Sequence, residues 1–196
     1  AALEDVGIVA WVVNARHVKA VPGRKTDVAD AQWLASLARA GLLKASFIAK
    51  ADLRSLRHIA RQRQKLGGML ASEKNRLHKL LTDAGVRLGV VVSDLHGQSA
   101  RAMVKAIIAQ KSIPEILNLA SKRLRASRED IFEALQAEEV TPAHRFVLRE
   151  TMAHIEELES RMARFDAELI RSLETAGYAS PLRLLQTLPG IDLIGA

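Results

Sequence analysis

The sequence predicts a mainly α-helical protein with a small α/β segment near its first residues. Two stretches, residues 50–84 and 141–176, repeat apolar side chains every three or four positions, which is the spacing of one helix face. Hydrophobic residues make up 48% of the chain but aromatic residues only 4%, so the core must consist of Leu, Ala, Val and Ile, a mixture that favours helix. One continuous apolar run, residues 9–14, predicts a strand buried on both faces.

The charge balance of the chain indicates a polyanionic partner. The 196 residues carry a formal charge of +7, and the pI is about 10.0, which favours nucleic acid over a membrane. There is no cysteine, which excludes disulfides and thiolate zinc sites and is typical of the reducing cytoplasm. No apolar run approaches the roughly 18 residues of a membrane span, and no signal peptide opens the chain. We therefore expect a cytoplasmic protein without a membrane partner.

The first 25 residues are expected to hold the end of a helix, a stop at Gly7, the strand and a basic loop. One strand satisfies neither its edges nor its two faces, so its sheet partners either precede the chain or come from another copy. The loop at residues 15–25 surrounds Pro22-Gly23 and is either a solvated turn or a phosphate-binding segment. Its cationic residues are Arg16, His17, Lys19, Arg24 and Lys25.

Two carboxylates, Asp27 and Asp30, open the next helix, which should run over residues 27–41 and stop at Gly41. They lie on one face of its first turn, just beyond the carboxyl end of the expected strand. Asp27 either caps the helix with Asp30 as its capping-box partner, or the pair holds a divalent metal such as magnesium, which takes one or two carboxylates with water and phosphate. The spacing alone leaves both interpretations open.

The stretch at residues 50–84 predicts one long helix with an apolar face and a basic face. Gly67-Gly68 interrupts the pattern and is expected to bend the helix or to let another backbone approach closely. An ordinary solvated helix mixes both signs of charge, so a stripe of one sign favours contact with a phosphate backbone. The basic face comprises Arg54, Arg57, Arg61, Arg63, Lys65, Lys74, Arg76 and Lys79.

Residues 86–98 predict an irregular segment or a short strand at 88–92, followed by a turn at 93–97. Asp94 and His96 have no third ligand at a recognisable spacing, so we interpret them as turn residues rather than as a metal site. Shorter helices are predicted at about residues 99–109, 114–120 and 128–138.

A second long helix, residues 141–176, is predicted to begin with Thr141 as its cap and Pro142 in its first turn, and to end at Gly177. An acidic flank offsets the basic helix, so we expect the two helices to pair antiparallel or residues 146–173 to join two copies of the chain. That flank comprises Glu156, Glu157 and Glu159. The apolar residues form a coiled-coil-like stripe of Leu148, Met152, Ile155, Leu158, Met162, Phe165, Leu169 and Leu173.

The run from Val13 to Ala35, and above all Lys25-Thr26-Asp27-x-x-Asp30-Ala31, resembles the end of the catalytic domain of the DEDD transposases of bacterial insertion sequences. This is the one-ten family, which includes the pilin-gene invertase. The likeness continues through Glu73-Lys74-Asn75-Arg76-Leu77 to Leu188-Pro189-Gly190-Ile191. It implies a RuvC-like, ribonuclease-H-type α/β fold in which Asp27 and Asp30 are the last two of four metal-binding catalytic acids, and it implies magnesium as the metal.

The resemblance also implies a division of the chain. Residues 1–48 would be the remnant of the RuvC-like domain, and residues 49–176 a helical, coiled-coil region. Residues 177–196 would begin a helical C-terminal transposase domain that resembles a helix–hairpin–helix at Pro189-Gly190. The other two acids would precede Ala1 and the catalytic serine would follow Ala196, so both ends of the chain are expected to be cut.

The resulting prediction is a fragment of an insertion-sequence transposase that keeps its binding surfaces and is inactive alone in DNA transposition and recombination. The family implies DNA and a structured guide RNA as partners. Two alternatives remain open: a basic helical nucleic-acid-binding module without enzymatic chemistry, and a coiled-coil adaptor that oligomerises through residues 146–173. The predicted nucleic-acid contacts are Arg16, Lys19, Arg24, Lys25, Arg54, Arg57, Arg61, Arg63, Lys74, Arg76 and Lys79.

Overall fold

The computed structural model describes residues 6–19, 27–121, 124–136 and 140–192, without the side chains of His17, Lys19 and residues 27–29. The chain divides into two compact units, Ala1–Arg57 and His58–Ala196. Most of the described residues are helical, which confirms the mainly α prediction.

The first unit contains two helices, α1 (Ala15–Lys19) and α2 (Asp27–Arg39). The prediction of a loop from residue 15 is wrong for α1, because the side chain of Asn14 accepts the Arg16 N–H at 2.9 Å and so caps a helical turn. α2 ends as predicted: Gly41 has a φ of +67°, and the N–H of Leu42 returns to the Leu37 carbonyl at 3.0 Å.

The strand predicted at residues 9–14 does not form as a buried strand. Val13 makes one isolated antiparallel bridge with Ala45, and the Ser46 N–H donates to the Val12 carbonyl at 2.7 Å. Val9 is 83% exposed and Trp11 59% exposed, so the expectation of burial on both faces is wrong. A lone extended segment has too few strand neighbours to bury its faces, and the α/β character stays a prediction.

The first long helix, α3 (Ala51–Asp83), begins in the first unit and continues in the second. It runs without a break through Gly67 and Gly68, and a Cβ at either position would meet no atom within 4 Å. The expected interruption and the close approach of another backbone are therefore both absent at these two positions.

Four short helices follow in the second unit: α4 (Leu88–Val91), α5 (Gln98–Ile108), α6 (Ile113–Leu117) and α7 (Arg128–Leu135). The strand alternative at residues 88–92 is wrong, because these residues close a helical turn in which the Val92 N–H donates to the Leu88 carbonyl at 3.0 Å. Capping boxes start α6, with Ser112 and Glu115, and α7, with Ser127 and Asp130.

The second long helix, α8 (Pro142–Thr175), starts on the predicted Thr141 cap, whose hydroxyl accepts the His144 N–H at 3.2 Å. It ends before Gly177, which has a φ of +78°. A last short helix, α9 (Ala179–Leu185), follows. No described helix combines the length and the apolar character needed to cross a membrane.

The core of the second unit joins α3, α8 and the short helices between them. The stripe predicted on α8 supplies Leu148, Ile155 and Leu158, each at most 1% exposed. α3 contributes Leu77 and Leu81, and the intervening segment contributes Leu88, Leu95, Met103 and Ile131, all nearly inaccessible. The low aromatic content thus gives an aliphatic core, as the composition predicts.

Candidate nucleic-acid interface and acidic pair

The two predicted metal-binding acids lie in the first turn of α2. Asp27 is the first helical residue, and its side chain lies outside the described set. Asp30 is half-buried one turn later. Carboxylates one turn apart on a helix are suitable donors for magnesium, which needs further oxygen ligands from elsewhere. Whether Asp27 caps α2 depends on atoms outside the described set, so the capping alternative stays open.

The basic segment before these acids is described only in part. Arg16 is exposed in α1. Lys19 ends the same helix, but its side chain is not described, and Arg24 and Lys25 lie outside the described residues. Their contact with phosphate stays a prediction.

The cations of α3 divide into two sets that face different ways. Five of the eight are exposed, whereas Arg54, Arg63 and Lys74 are half-buried. In the first unit, the Arg54 guanidinium donates to the Ala49 carbonyl at 3.2 Å and Arg57 is exposed. The other four exposed cations belong to the second unit: Arg61, Lys65, Arg76 and Lys79.

Arg63 and Lys74 face α8. The Nε of Arg63 donates to one carboxylate oxygen of Asp166 at 2.8 Å and an Nη to the other at 3.3 Å, and this hydrogen bonding raises the pKa of Arg63. The Lys74 ammonium lies 3.3 Å from the Glu159 carboxylate. The prediction that Arg63 and Lys74 lie on the basic face of α3 is therefore wrong, because both turn towards α8. A nucleic-acid role for either side chain stays a prediction.

These ion pairs also fix how the long helices run. Arg63 pairs with Asp166, whereas Lys74, further along α3, pairs with the earlier Glu159. The numbering therefore increases along one helix as it decreases along the other, which confirms the predicted antiparallel pairing. The acidic flank of α8 serves this pairing only through Glu159, because Glu156 pairs with Lys105 of α5 and Glu157 with Arg161 of α8 itself.

Glu159 of α8 pairs with two cations, Arg101 and Lys74. Both of its oxygens accept hydrogen bonds from the Arg101 guanidinium, one of them at 2.7 Å, and Lys74 lies beside the same carboxylate. Hydrogen bonding from Arg101 is the largest cause of the lowered pKa of Glu159. The sequence analysis did not single out Arg101, because nothing in its local pattern distinguishes an arginine of α5 that reaches α8.

The four exposed cations of the second unit share one narrow face of α3. At about 100° per residue, Arg61 and Lys79 lie almost directly above one another, and all four fall within a sector of about 60°. Leu70, which is 9% exposed, lies about opposite this sector. We call Arg61, Lys65, Arg76 and Lys79 the cationic face.

The cationic face is almost free of compensating acid. Arg61, Lys65 and Lys79 make no ion pair with any residue that the structure describes, and Arg76, still 65% exposed, lies 3.3 Å from Glu73. Glu73 is the only acid between Arg61 and Lys79 in the sequence, and it is 9% exposed. An uncompensated row of cations in water is the electrostatic pattern of a phosphate-binding surface.

The turn at residues 93–97 is confirmed. An oxygen of the Asp94 side chain accepts the His96 N–H at 2.8 Å, so this carboxylate shapes the backbone. Among the described residues, no three His, Cys, Asp or Glu side chains converge in a way that could hold a metal. The Nδ1 atom of His96 is buried and has no hydrogen-bond partner in the part of the chain that the structure describes, and desolvation lowers the pKa of this imidazole.

Residues 1–85 match the family model named for the DEDD transposases of IS110 and described as a transposase. These residues are similar to the DEDD transposases. No curated protein and no solved structure matches the chain.

The transposase match spans α1, α2 and α3. It therefore includes Asp27 and Asp30 as well as the cationic face, whereas α4 to α9 lie beyond it. This similarity supports a transposase-type function.

Proposed function

We propose that this protein binds DNA for a transposition reaction and that the cationic face of α3 is a principal contact with the phosphate backbone. The observation that carries the proposal is the set of four exposed cations on one side of a helix within the transposase match, with one nearly buried acid between them. Cations that protein acids already neutralise release few counterions from DNA, so the unpaired ones contribute most to binding.

The chemistry proposed for the acids follows the family. Asp27 and Asp30 would be two ligands of magnesium, and that metal would supply Lewis-acid stabilisation of negative charge during phosphate transfer. Both acids stand in the first turn of α2, one turn apart. Two carboxylates supply too few oxygens for a complete site, so we propose that this chain alone does not cut DNA. The resemblance to the family also suggests a structured guide RNA as a further proposed partner. The proposed place of action is the cytoplasm.

The two rival functions are less well supported. A nucleic-acid-binding module without enzymatic chemistry would share the cationic face, but it does not account for the transposase match. A coiled-coil adaptor would need the apolar stripe of α8 for a partner, whereas Leu148, Ile155 and Leu158 are already buried within this chain. Self-association through residues 146–173 stays a prediction.

Salt-dependent DNA binding tests the proposal. The wild type should bind a DNA duplex with an affinity that falls steeply with salt, and Arg61→Ala combined with Arg76→Ala should lower the log–log salt slope by about 1.8, since each phosphate contact in B-DNA contributes about 0.9. Fluorescence anisotropy at several salt concentrations measures this slope. Both positions are exposed and alanine is the best helix former, so the circular dichroism should be unchanged.

The matched control removes two exposed arginines outside α3, Arg125→Ala with Arg149→Ala, and therefore changes the net charge equally. Its salt slope should stay close to that of the wild type. An equal loss of slope in both double variants would mean that net charge, rather than the cationic face, drives binding. Affinity independent of salt would exclude a phosphate-binding role altogether.

A further inference from the structure

The cationic face is not an even row but two pairs of charges. Arg61 and Lys65 are one turn apart, as are Arg76 and Lys79, while Arg76 lies eleven positions after Lys65. With a rise of about 1.5 Å per residue, the two pairs are separated by about 16 Å along the axis of α3. The separation is fixed, because α3 is an unbroken helix from Ala51 to Asp83.

The surface between the two pairs carries no charged side chain. The residues that fall in or next to the same sector there are Gly68, Met69, Ser72 and Asn75, all exposed. The Ser72 hydroxyl donates to the Gly68 carbonyl at 3.0 Å and so lies against the helix. A Cβ at Gly68 would meet no atom within 4 Å, so none of the residues that the structure describes covers this glycine. A ligand can approach the backbone of α3 here while touching a cation pair at either side.

The composition of α3 argues against a single strand as that ligand. Proteins that bind single strands stack the bases on aromatic side chains, and the 33 residues of α3 contain no Phe, Tyr or Trp. A single strand lying along the helix would also pass about 16 Å of surface without meeting a cation. Both observations favour a ligand whose phosphates lie in two separate rows.

We propose that the cationic face binds a B-form DNA duplex with α3 lying across the major groove, one cation pair on each flanking phosphate backbone. The groove is about 12 Å wide, so pairs about 16 Å apart reach the phosphates on both of its rims. The uncharged middle section lies over the groove itself. A-form RNA has a deep and narrow major groove that does not present its two backbones in this way. This inference rests on the proposed DNA-binding function and specifies its ligand.

The first test compares three ligands of equal length and sequence: a DNA duplex, its single strand, and the RNA duplex. Because the two cation pairs need two rows of phosphates, the DNA duplex should bind at least about tenfold more tightly than either of the others at one salt concentration. Equal affinity for the single strand would overturn the two-backbone arrangement. Equal affinity for the RNA duplex would overturn the assignment to the major groove of B-DNA.

The second test separates the two pairs of charges. Arg61→Ala with Lys65→Ala, and Arg76→Ala with Lys79→Ala, should each lower the salt slope for the DNA duplex by about 1.8, because each variant loses its contacts with one backbone. The Arg125→Ala and Arg149→Ala control should leave that slope unchanged. If only one of the two pairs affects the slope, the helix does not span the groove and the proposal is wrong.

The third test blocks one groove while the phosphates keep their charge. DNA in which glucosylated hydroxymethylcytosine fills the major groove should bind at least about tenfold more weakly than unmodified DNA, whereas netropsin in the minor groove should have no such effect. The opposite pattern would overturn the groove assignment. Absence of binding to every nucleic acid would overturn both this inference and the proposed function, while salt-dependent binding without a preference for the duplex would overturn this inference alone.

Discussion

At the scale of single residues, the charged side chains of this protein differ mainly in whether the fold supplies a partner. Arg63 and Arg61 are two positions apart, yet Arg63 makes two hydrogen bonds to Asp166 while Arg61 is exposed to solvent. Two positions on a helix rotate a side chain by about 200°, which takes one arginine towards α8 and the other away from it. Arg61 is therefore accessible to phosphate, whereas Arg63 is already paired with Asp166.

His96 is the residue whose titration should affect the stability of the fold. Its Nδ1 is buried without a partner, and desolvation is the largest cause of its lowered pKa, followed by the positive charges of Lys74 and Arg101. Asp94 raises the pKa of His96, whereas His78 lowers it further. His96 therefore binds a proton less readily in the folded state than in the unfolded state.

The sign of the pH dependence follows from this difference. As the pH falls below about 6.5, the ordinary pKa of histidine, the unfolded state binds more protons than the folded state, so the free energy of unfolding should fall until the pH passes the lowered pKa of His96. Urea denaturation over this range measures the effect. His96→Gln, which cannot titrate, should show a weaker pH dependence than the wild type. An identical pH dependence in the two proteins would contradict a role for His96.

At the scale of elements, the long helices are held together by an apolar stripe and by ion pairs at its edges. Leu148, Ile155 and Leu158 of α8 are buried with Leu77 and Leu81 of α3 in one core. At the margin, Glu159 binds both Arg101 of α5 and Lys74 of α3. Glu159 and its partners are each about one-fifth to one-third exposed, so the ion pairs are expected to fix the register of the helices more than to stabilise them.

The stripe should therefore dominate the stability of the second unit. Leu158 is 1% exposed, and Leu158→Ala should lower the free energy of unfolding by about 2–5 kcal/mol through lost burial and the cavity left behind. Chemical denaturation followed by circular dichroism measures this change. The control, Leu184→Ala in α9, removes a leucine that is 71% exposed and should cost less than about 0.5 kcal/mol. A Leu158→Ala variant as stable as this control would show that the stripe does not hold the helices together.

At the scale of the whole molecule, binding and catalysis are expected to be separable. The chain carries a net charge of +7 and a cationic face that needs no metal to attract phosphate. The acidic pair, in contrast, offers only two carboxylates to a cation that usually takes six ligands. DNA binding should therefore not depend on magnesium, whereas strand cleavage should require ligands beyond Asp27 and Asp30.

Magnesium titration tests this separation. The wild type should bind magnesium only weakly, and Asp27→Asn with Asp30→Asn should remove that binding, because the pair supplies both protein ligands. Isothermal titration calorimetry measures the affinity, and Asp83→Asn, which removes an exposed acid at the end of α3, is the control. The wild type should not cleave DNA in the presence of magnesium, with or without RNA. Magnesium-dependent cleavage by this chain alone would contradict the proposed incompleteness of the site.

The helices and their ends were predictable because their determinants are local. Thr141 followed by Pro142, and Gly41 and Gly177 beyond the last turns, mark where helices begin and end, since a cap or a positive φ depends on a few neighbouring residues. The motif around Asp27 and Asp30 predicted the similarity to the DEDD transposases for the same reason. The sequence by itself thus determined the mainly helical fold, the transposase relationship and the candidate acids.

The tertiary structure decided which of these local features find partners. Residues 9–14 favour a strand, but a strand needs neighbours. Val9 and Trp11 remain exposed, and among the described residues the bridge from Val13 to Ala45 is the only strand-like pairing beside them. The basic helix is evident from its composition, but only the packing of α8 shows that Arg63 and Lys74 turn inwards. Pairing between distant segments is a property of the folded chain, because it depends on residues about a hundred positions away that no local pattern specifies.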